Sequence, residues 1–220
     1  MTIGVLLVDD DPLVRSGLRL MLGAAEDIAV LGEAADGREV PALVAEHRPD
    51  VVLMDIRMPG MDGLAATERL RQRDPAPEVM MLTTFHADEH VVRALRAGAA
   101  GYVLKDTPPQ EIVAAVRRVA AGEPVLSADV TRRLIAQVAG SGRERRQARR
   151  RVNALPERER DVALLVGQGR SNAEIAAALY LSVPTVKTHV SRLLAKLDLA
   201  NRTQLALLVH DAGLLPDEPR

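Results

Sequence analysis

Six polar side chains in the N-terminal half stand where short apolar runs stop. Asp9, Asp10 and Asp11 follow IGVLLV (3–8), Asp55 closes DVVLMD (50–55), Thr83 closes EVMMLT (78–83), and Lys105 follows GYVL (101–104). If those runs are strands of one open α/β sheet, the six groups share the cleft beyond the strand carboxyl ends, where such sheets bind ligands. Carboxylates gathered in one cleft repel one another, and a cation relieves that cost. A few carboxylates completed by water and phosphate oxygens suit Mg²⁺. Beside such an ion Asp55 is a candidate nucleophile toward a phosphoryl group, because phosphoryl transfer needs mainly in-line positioning and charge neutralisation. Lys105 would pair with phosphoryl oxygens, and the Thr83 hydroxyl would hydrogen-bond one of them. Singly, each residue has a plainer role: strand-end acids solvate loops or cap helices, Thr packs, Lys sits at the surface. Their ordered recurrence at four strand ends favours the shared site.

The elements that must position these groups are legible as an alternation. Five apolar runs (3–8, 28–33, 50–55, 78–83 and 101–104) are nearly continuous, as in strands buried on both faces of a parallel sheet. Between them, residues 12–24, 37–47, 62–72, 87–97 and 109–121 carry apolar positions three and four apart, such as Val91 and Leu95. Residues 1–122 therefore read as a doubly wound α/β domain. After Gly122 and Pro124 the pattern is helical only. Residues 127–138, with Ser127 as N-cap, predict a helical extension. GSGRERRQARRR (140–151) holds six arginines and one glutamate and reads as a solvated, disordered charge block; the sharper reading adds contacts to DNA phosphates. Residues 123–153 are thus assigned as linker.

Residues 154–216 read as four helices, in a domain assigned to residues 154–220. LPERERDVALLVGQG has Pro156, Glu157 and Glu159 in a first turn and Gly167 and Gly169 near its end. Ser171 or Asn172 opens an Ala-rich helix, NAEIAAALY, and Ser182 caps the next, with Pro184 in its first turn. Two helices joined by so short a turn form a helix-turn-helix. Val186, Val190, Leu193, Leu194 and Leu197 recur at helical spacing toward a core. Thr185, Lys187, Thr188, His189, Ser191, Arg192 and Lys196 occupy the other face, which a solvated helix would also show.

The net charge of −1 conceals an asymmetry. Residues 1–130 carry 21 acids against 13 Lys and Arg, and residues 131–220 carry 9 against 16. An acidic module joined to a basic one fits a metal-binding half and a polyanion-binding half. The chain has no cysteine, which excludes disulfides, thiolate zinc and a thiol nucleophile, and its five histidines are scattered. Three aromatics, Phe85, Tyr102 and Tyr180, give no stacking platform for single strands, so duplex DNA is the preferred polyanion. There is no apolar run of membrane-spanning length, and three acids interrupt the N-terminal run where a signal peptide would continue. The expected location is the cytoplasm, with no membrane association.

LLVDDDP, LMDIRMPGMDG, MLTTF and GYVLKD resemble the motifs of response-regulator receiver domains, over roughly residues 1–121. The resemblance implies a flavodoxin-like five-stranded parallel sheet with Asp55 as phospho-acceptor. It also implies Mg²⁺ held by Asp9, Asp10, Asp55 and the backbone carbonyl of Arg57. Thr83 and Lys105 become the switch and phosphate-binding pair, and Tyr102 an aromatic that turns inward when Thr83 engages the phosphoryl group. Asp11 receives no metal role. A protein of this kind promotes its own phosphorylation and dephosphorylation but is not a turnover enzyme. Arg57 and Phe85, two positions beyond Asp55 and Thr83, are bulky enough to hinder an attacking water.

LPERERDVALLVGQGRSNAEIAAALYLSVPTVKTHVSRLLAKLDLANRTQ (155–204) resembles the DNA-binding domain of LuxR/NarL-type regulators. That implies base-edge contacts from Lys187, Thr188 and Ser191, phosphate contacts from Thr185, His189 and Arg192, and pairing through residues 203–213. The expected partners are a sensor histidine kinase, double-stranded promoter DNA and, on activation, a second copy of the chain. Two other readings stand beside this one. Asp9 and Asp11 form the D-x-D of haloacid-dehalogenase-like phosphatases, although nothing in that reading explains the helical C-terminal half. A regulator that binds DNA regardless of phosphorylation has the same motifs.

Overall fold

The computed structural model describes residues 2–72, 75–83, 88–123, 125 and 142–215, which divide into two compact units, residues 1–130 and 131–220. The expected extension at 127–138 lies outside the described residues, as does Phe85.

The first unit alternates strand and helix: β1 (Ile3–Val8), α1 (Pro12–Gly23), β2 (Ile28–Ala34), α2 (Val40–His47), β3 (Val51–Asp55), α3 (Gly63–Arg71), β4 (Glu78–Thr83), α4 (Asp88–Arg96), β5 (Gly101–Leu104) and α5 (Pro109–Ala120). The sheet is parallel throughout, in the order β2-β1-β3-β4-β5. Strand order reverses between β1 and β3, which opens the ligand-binding crevice there. Val5, Leu7, Leu53, Met80 and Leu82 pack against Leu18 and Leu22 of α1 and Ile112, Val116 and Val119 of α5. Leu6, Val52, Met54 and Met81 project to the opposite face by strand alternation and are equally buried. The central strands are therefore covered on both sides. β2 is an edge strand, and its middle residues are partly exposed.

The second unit contains α6 (Gly142–Asn153), α7 (Glu157–Gly167), α8 (Asn172–Leu179), α9 (Val183–Lys196) and α10 (Arg202–Asp211). The arginine-rich stretch expected to be a solvated linker is instead the helix α6. Its Ala148 and Val152, four residues apart, lie with Leu155 in the core of this unit, and that burial holds a very polar segment helical. Ser171 caps α8 through a capping box with Glu174, and the two Ser171 hydrogen bonds followed by Arg170 pull the Glu174 carboxyl down to about 2. Tyr180, in the left-handed conformation, turns the chain toward Ser182, whose hydroxyl accepts from Thr185 N–H and starts α9. Among the described residues no helix is long and apolar enough to cross a membrane.

Candidate functional site

Asp9 and Asp10 leave the end of β1 and Asp55 ends β3, so all three meet at the point where strand order reverses. One oxygen from each lies within 4.8 Å of the others. Asp9 is 1% exposed and Asp55 7%, whereas Asp10 faces solvent. Lys105 reaches in from the end of β5, its Nζ 2.6 Å from Asp9 Oδ2 and 3.4 Å from Asp55 Oδ2. Its backbone N–H donates to Thr83 O at 2.8 Å, which ties the ends of β4 and β5 together. Gly63 opens α3 against the Asp55 carbonyl, where any Cβ would overlap the Asp55 backbone, so glycine fixes how closely α3 approaches the site.

Burial pushes the Asp55 carboxyl above the usual range; Lys105 pulls it back, and the Asp9 charge pushes it up further. Burial works against the charge on Lys105, but Asp9 and Asp55 more than offset it and hold the ammonium firmly protonated. Hard oxygen donors, close spacing and a buried negative pair that one lysine only partly neutralises fit a magnesium ion. A raised folded-state pKa means that the folded chain binds this proton more tightly than the unfolded chain. The contribution of Asp55 to the stability of the metal-free fold is therefore greatest below the ordinary aspartate pKa and is lost as pH rises through the raised value. In EDTA at pH 8, Asp55→Asn is expected to raise Tm by a few degrees, with the difference vanishing near pH 4. Thermal denaturation across that range, showing equal Tm for both proteins at pH 8, would contradict this account.

Asp11 is committed elsewhere. It is the N-cap of α1, with its carboxylate accepting from Leu13 N–H at 2.8 Å, and the D-x-D reading thereby loses its second acid. Thr83 and Tyr102 are both buried, and their hydroxyls are hydrogen-bonded to each other. The sequence reading has Tyr102 turning inward on phosphorylation; the structure has it inward already, enclosed beside Thr83. Arg57 sits two residues beyond Asp55 with its side chain exposed.

In the second unit, Val186, Val190, Leu193 and Leu197 of α9 enter the core and Leu194 packs at its edge. Lys187, Thr188, Ser191 and Arg192 are exposed, with Thr185 and His189 partly so. The Thr188 hydroxyl donates to Pro184 O and the Thr185 hydroxyl bonds that of Ser182, so both retain acceptor lone pairs toward a ligand. Long cations and short hydroxyls on one helix face suit the major groove. Leu205, Leu208 and Val209 of α10 close the small core, leaving Ala206, Leu207 and His210 partly exposed.

Sequence reasoning missed the supports of this face. Arg202, 5% exposed, donates to Asn172 Oδ1 at 2.6 Å and to Arg170 O, joining the start of α10 to the start of α8. Arg151 of α6 donates to Leu197 O and so caps the C-terminal end of α9. No motif marks either; a buried arginine in a run such as NRTQ has the same local pattern as an exposed one.

A doubly wound domain with this acidic cleft, followed by a helix-turn-helix unit, defines a receiver joined to a DNA-binding module. Family comparison agrees on both halves. The profile of the family "Response regulator receiver domain" matches residues 5–117, and that of "Bacterial regulatory proteins, luxR family" matches residues 153–209. The chain is 43% identical over 203 residues to the uncharacterized transcriptional regulatory protein YhcZ of Bacillus subtilis (strain 168), covering 92% of this chain and 93% of that one. It is 41% identical over 216 residues to the response regulator protein VraR of Staphylococcus aureus (strain Mu3 / ATCC 700698), covering 98% and 100%. Among solved structures, the response regulator ChrA of a heme-sensing two-component system aligns with a TM-score of 0.54 at 36% identity, over 97% of this chain and 99% of that one. The chain belongs to the response regulators with a LuxR-type DNA-binding domain, a family of transcription regulators rather than turnover enzymes.

Proposed function

We propose that this regulator is switched by phosphorylation of Asp55 by a sensor histidine kinase in the cytoplasm, and that it then binds promoter DNA as a dimer. The observation that carries the reading is the convergence of Asp9, Asp10, Asp55 and Lys105 at the crevice between β1 and β3. An Asp55 oxygen bonds to phosphorus as the bond to the donor breaks, its electron pair staying with the donor. Lys105 pairs with the incoming phosphoryl oxygens. Asp9, Asp10, Asp55 and the carbonyl of Arg57 would hold Mg²⁺, which would supply the remaining positive charge. A hydroxyl has one proton and two lone pairs, so Thr83 can donate to the phosphoryl group while accepting from Tyr102. That chain of hydrogen bonds links the acceptor to the β4–β5 face. Shifting a population from 1:99 to 99:1 takes about 5.5 kcal/mol of differential stabilisation.

The DNA contacts proposed are Lys187, Thr188 and Ser191 to base edges and Thr185, His189 and Arg192 to phosphates, with dimers pairing through the remaining outer face of α10. Dimers predict half-sites one helical turn apart or a multiple of it. The test is affinity for a duplex that the protein itself selects from a random pool, with and without acetyl phosphate and Mg²⁺. Wild type should bind more tightly with the phosphodonor, and Asp55→Ala should not respond. Equal affinity in both states would favour the phosphorylation-independent reading. The bulk of Arg57 and Phe85 should also prolong the phosphorylated state by hindering water, so Arg57→Asn with Phe85→Ala is expected to lose phosphate about tenfold faster. Decay followed on the purified phosphoprotein checks this, and an unchanged half-life would refute it.

A further inference from the structure

We infer that α6 is a second DNA-contacting element, gripping phosphates beyond those reached by α9; the inference rests on the DNA-binding reading of this unit. Arg145, Arg146, Arg149 and Arg150 are all exposed, while Ala148 and Val152 anchor the helix in the core. Among the described residues no carboxylate lies within ion-pair distance of any of the four. Two pairs, Arg145 with Arg149 and Arg146 with Arg150, stand one helical turn apart, and like charges at that spacing destabilise an isolated helix. A dense polyanion placed against this face relieves that repulsion. The axial rise across four residues is about 6 Å, close to two phosphate steps of about 3.4 Å along one DNA strand.

What makes the partner duplex DNA rather than any polyanion is the link to α9. Arg151, on the same helix, donates to Leu197 O and fixes the C-terminal turn of α6 to the end of the helix that carries Lys187 and Arg192. A duplex held by α9 therefore has this cationic helix in a fixed position relative to it. Contacts of this kind carry no base information; they strengthen binding to every sequence and steepen its salt dependence.

The test uses the full chain and a random-sequence duplex of about thirty base pairs, long enough for nearly three helical turns. The variant Arg146→Gln, Arg149→Gln, Arg150→Gln spares Arg145, which packs over Gly213, and Arg151. Its expected behaviour is an affinity at low salt at least about tenfold weaker, and a log-affinity against log-salt slope shallower by about 2–3, with Tm at or above wild type. Replacing the same three residues by Lys should restore the slope. An unchanged slope, or an affinity within twofold of wild type, overturns the inference. Tighter binding by the Gln variant also overturns it, because the arginines would then be engaged by an acidic surface such as the chain's own receiver. If wild type shows no salt-dependent duplex binding at all, the DNA-binding reading beneath the inference has failed instead.

Discussion

Asp55→Asn is expected to take up no phosphate from acetyl phosphate and Mg²⁺ under conditions in which wild type acquires close to one phosphate per chain. The amide keeps the size and most of the packing of the carboxylate, but its nitrogen and carbonyl oxygen are far weaker nucleophiles, so uptake should fall below about one-hundredth of wild type. Asp9 and Lys105 would remain paired at 2.6 Å, and the change therefore isolates chemistry from architecture. Lys105→Met separates the lysine's role: Asp55 is retained, while a cation beside both carboxylates is lost. Uptake should be slower and the protein less stable, because Asp9 and Asp55 then face each other unneutralised. Intact-mass measurement with peptide mapping reads all three proteins. Phosphate on the Asp55→Asn chain, or at another residue of wild type, would remove the proposed switch.

The second large effect is expected in the DNA-binding unit. Arg202→Ala should cost the DNA-binding unit about 3 kcal/mol, because it leaves the Asn172 side chain and the Arg170 carbonyl without their buried donor. Hydrogen bonds to a charged group contribute about 1.5–3 kcal/mol each, and stranded acceptors are costlier than bonds never made. Arg202→Lys should recover little, since one ammonium lacks the planar fork that spans both acceptors. Urea denaturation followed by helical circular dichroism measures the loss, and hydrogen exchange at α8–α10 assigns it. A loss under about 1 kcal/mol would mean that this buried cation does not hold the helix-turn-helix together. DNA affinity should fall further than stability alone explains, because Asn172 opens α8 and α8 sets the seat of α9.

Strand runs were readable here because the central strands are buried on both faces and admit almost no polar residue; β3 is Val-Val-Leu-Met-Asp, buried throughout. β2 was read the same way although it lies at the sheet edge, since periodicity cannot distinguish a covered edge strand from a central one. The acidic cleft was legible because topology alone carries strand ends to one rim. Asp11 shows the limit of that argument: adjacent to two site residues in sequence, it turns away to cap α1. α6 was misread because only Ala148 and Val152 are core residues among its arginines, too few to give a hydrophobic period. The hydrogen bond between Thr83 and Tyr102 joins neighbouring strands through side chains nineteen positions apart, which no local pattern records.

The packing of α6 also moves the practical boundary of the DNA-binding half. A fragment begun at Ala154, where the polar stretch stops, would expose an apolar slot vacated by Ala148 and Val152 and leave the last turn of α9 without Arg151. Self-association or weak promoter affinity in such a truncated piece would report the cut rather than the native protein; excision should begin at Gly142 or earlier.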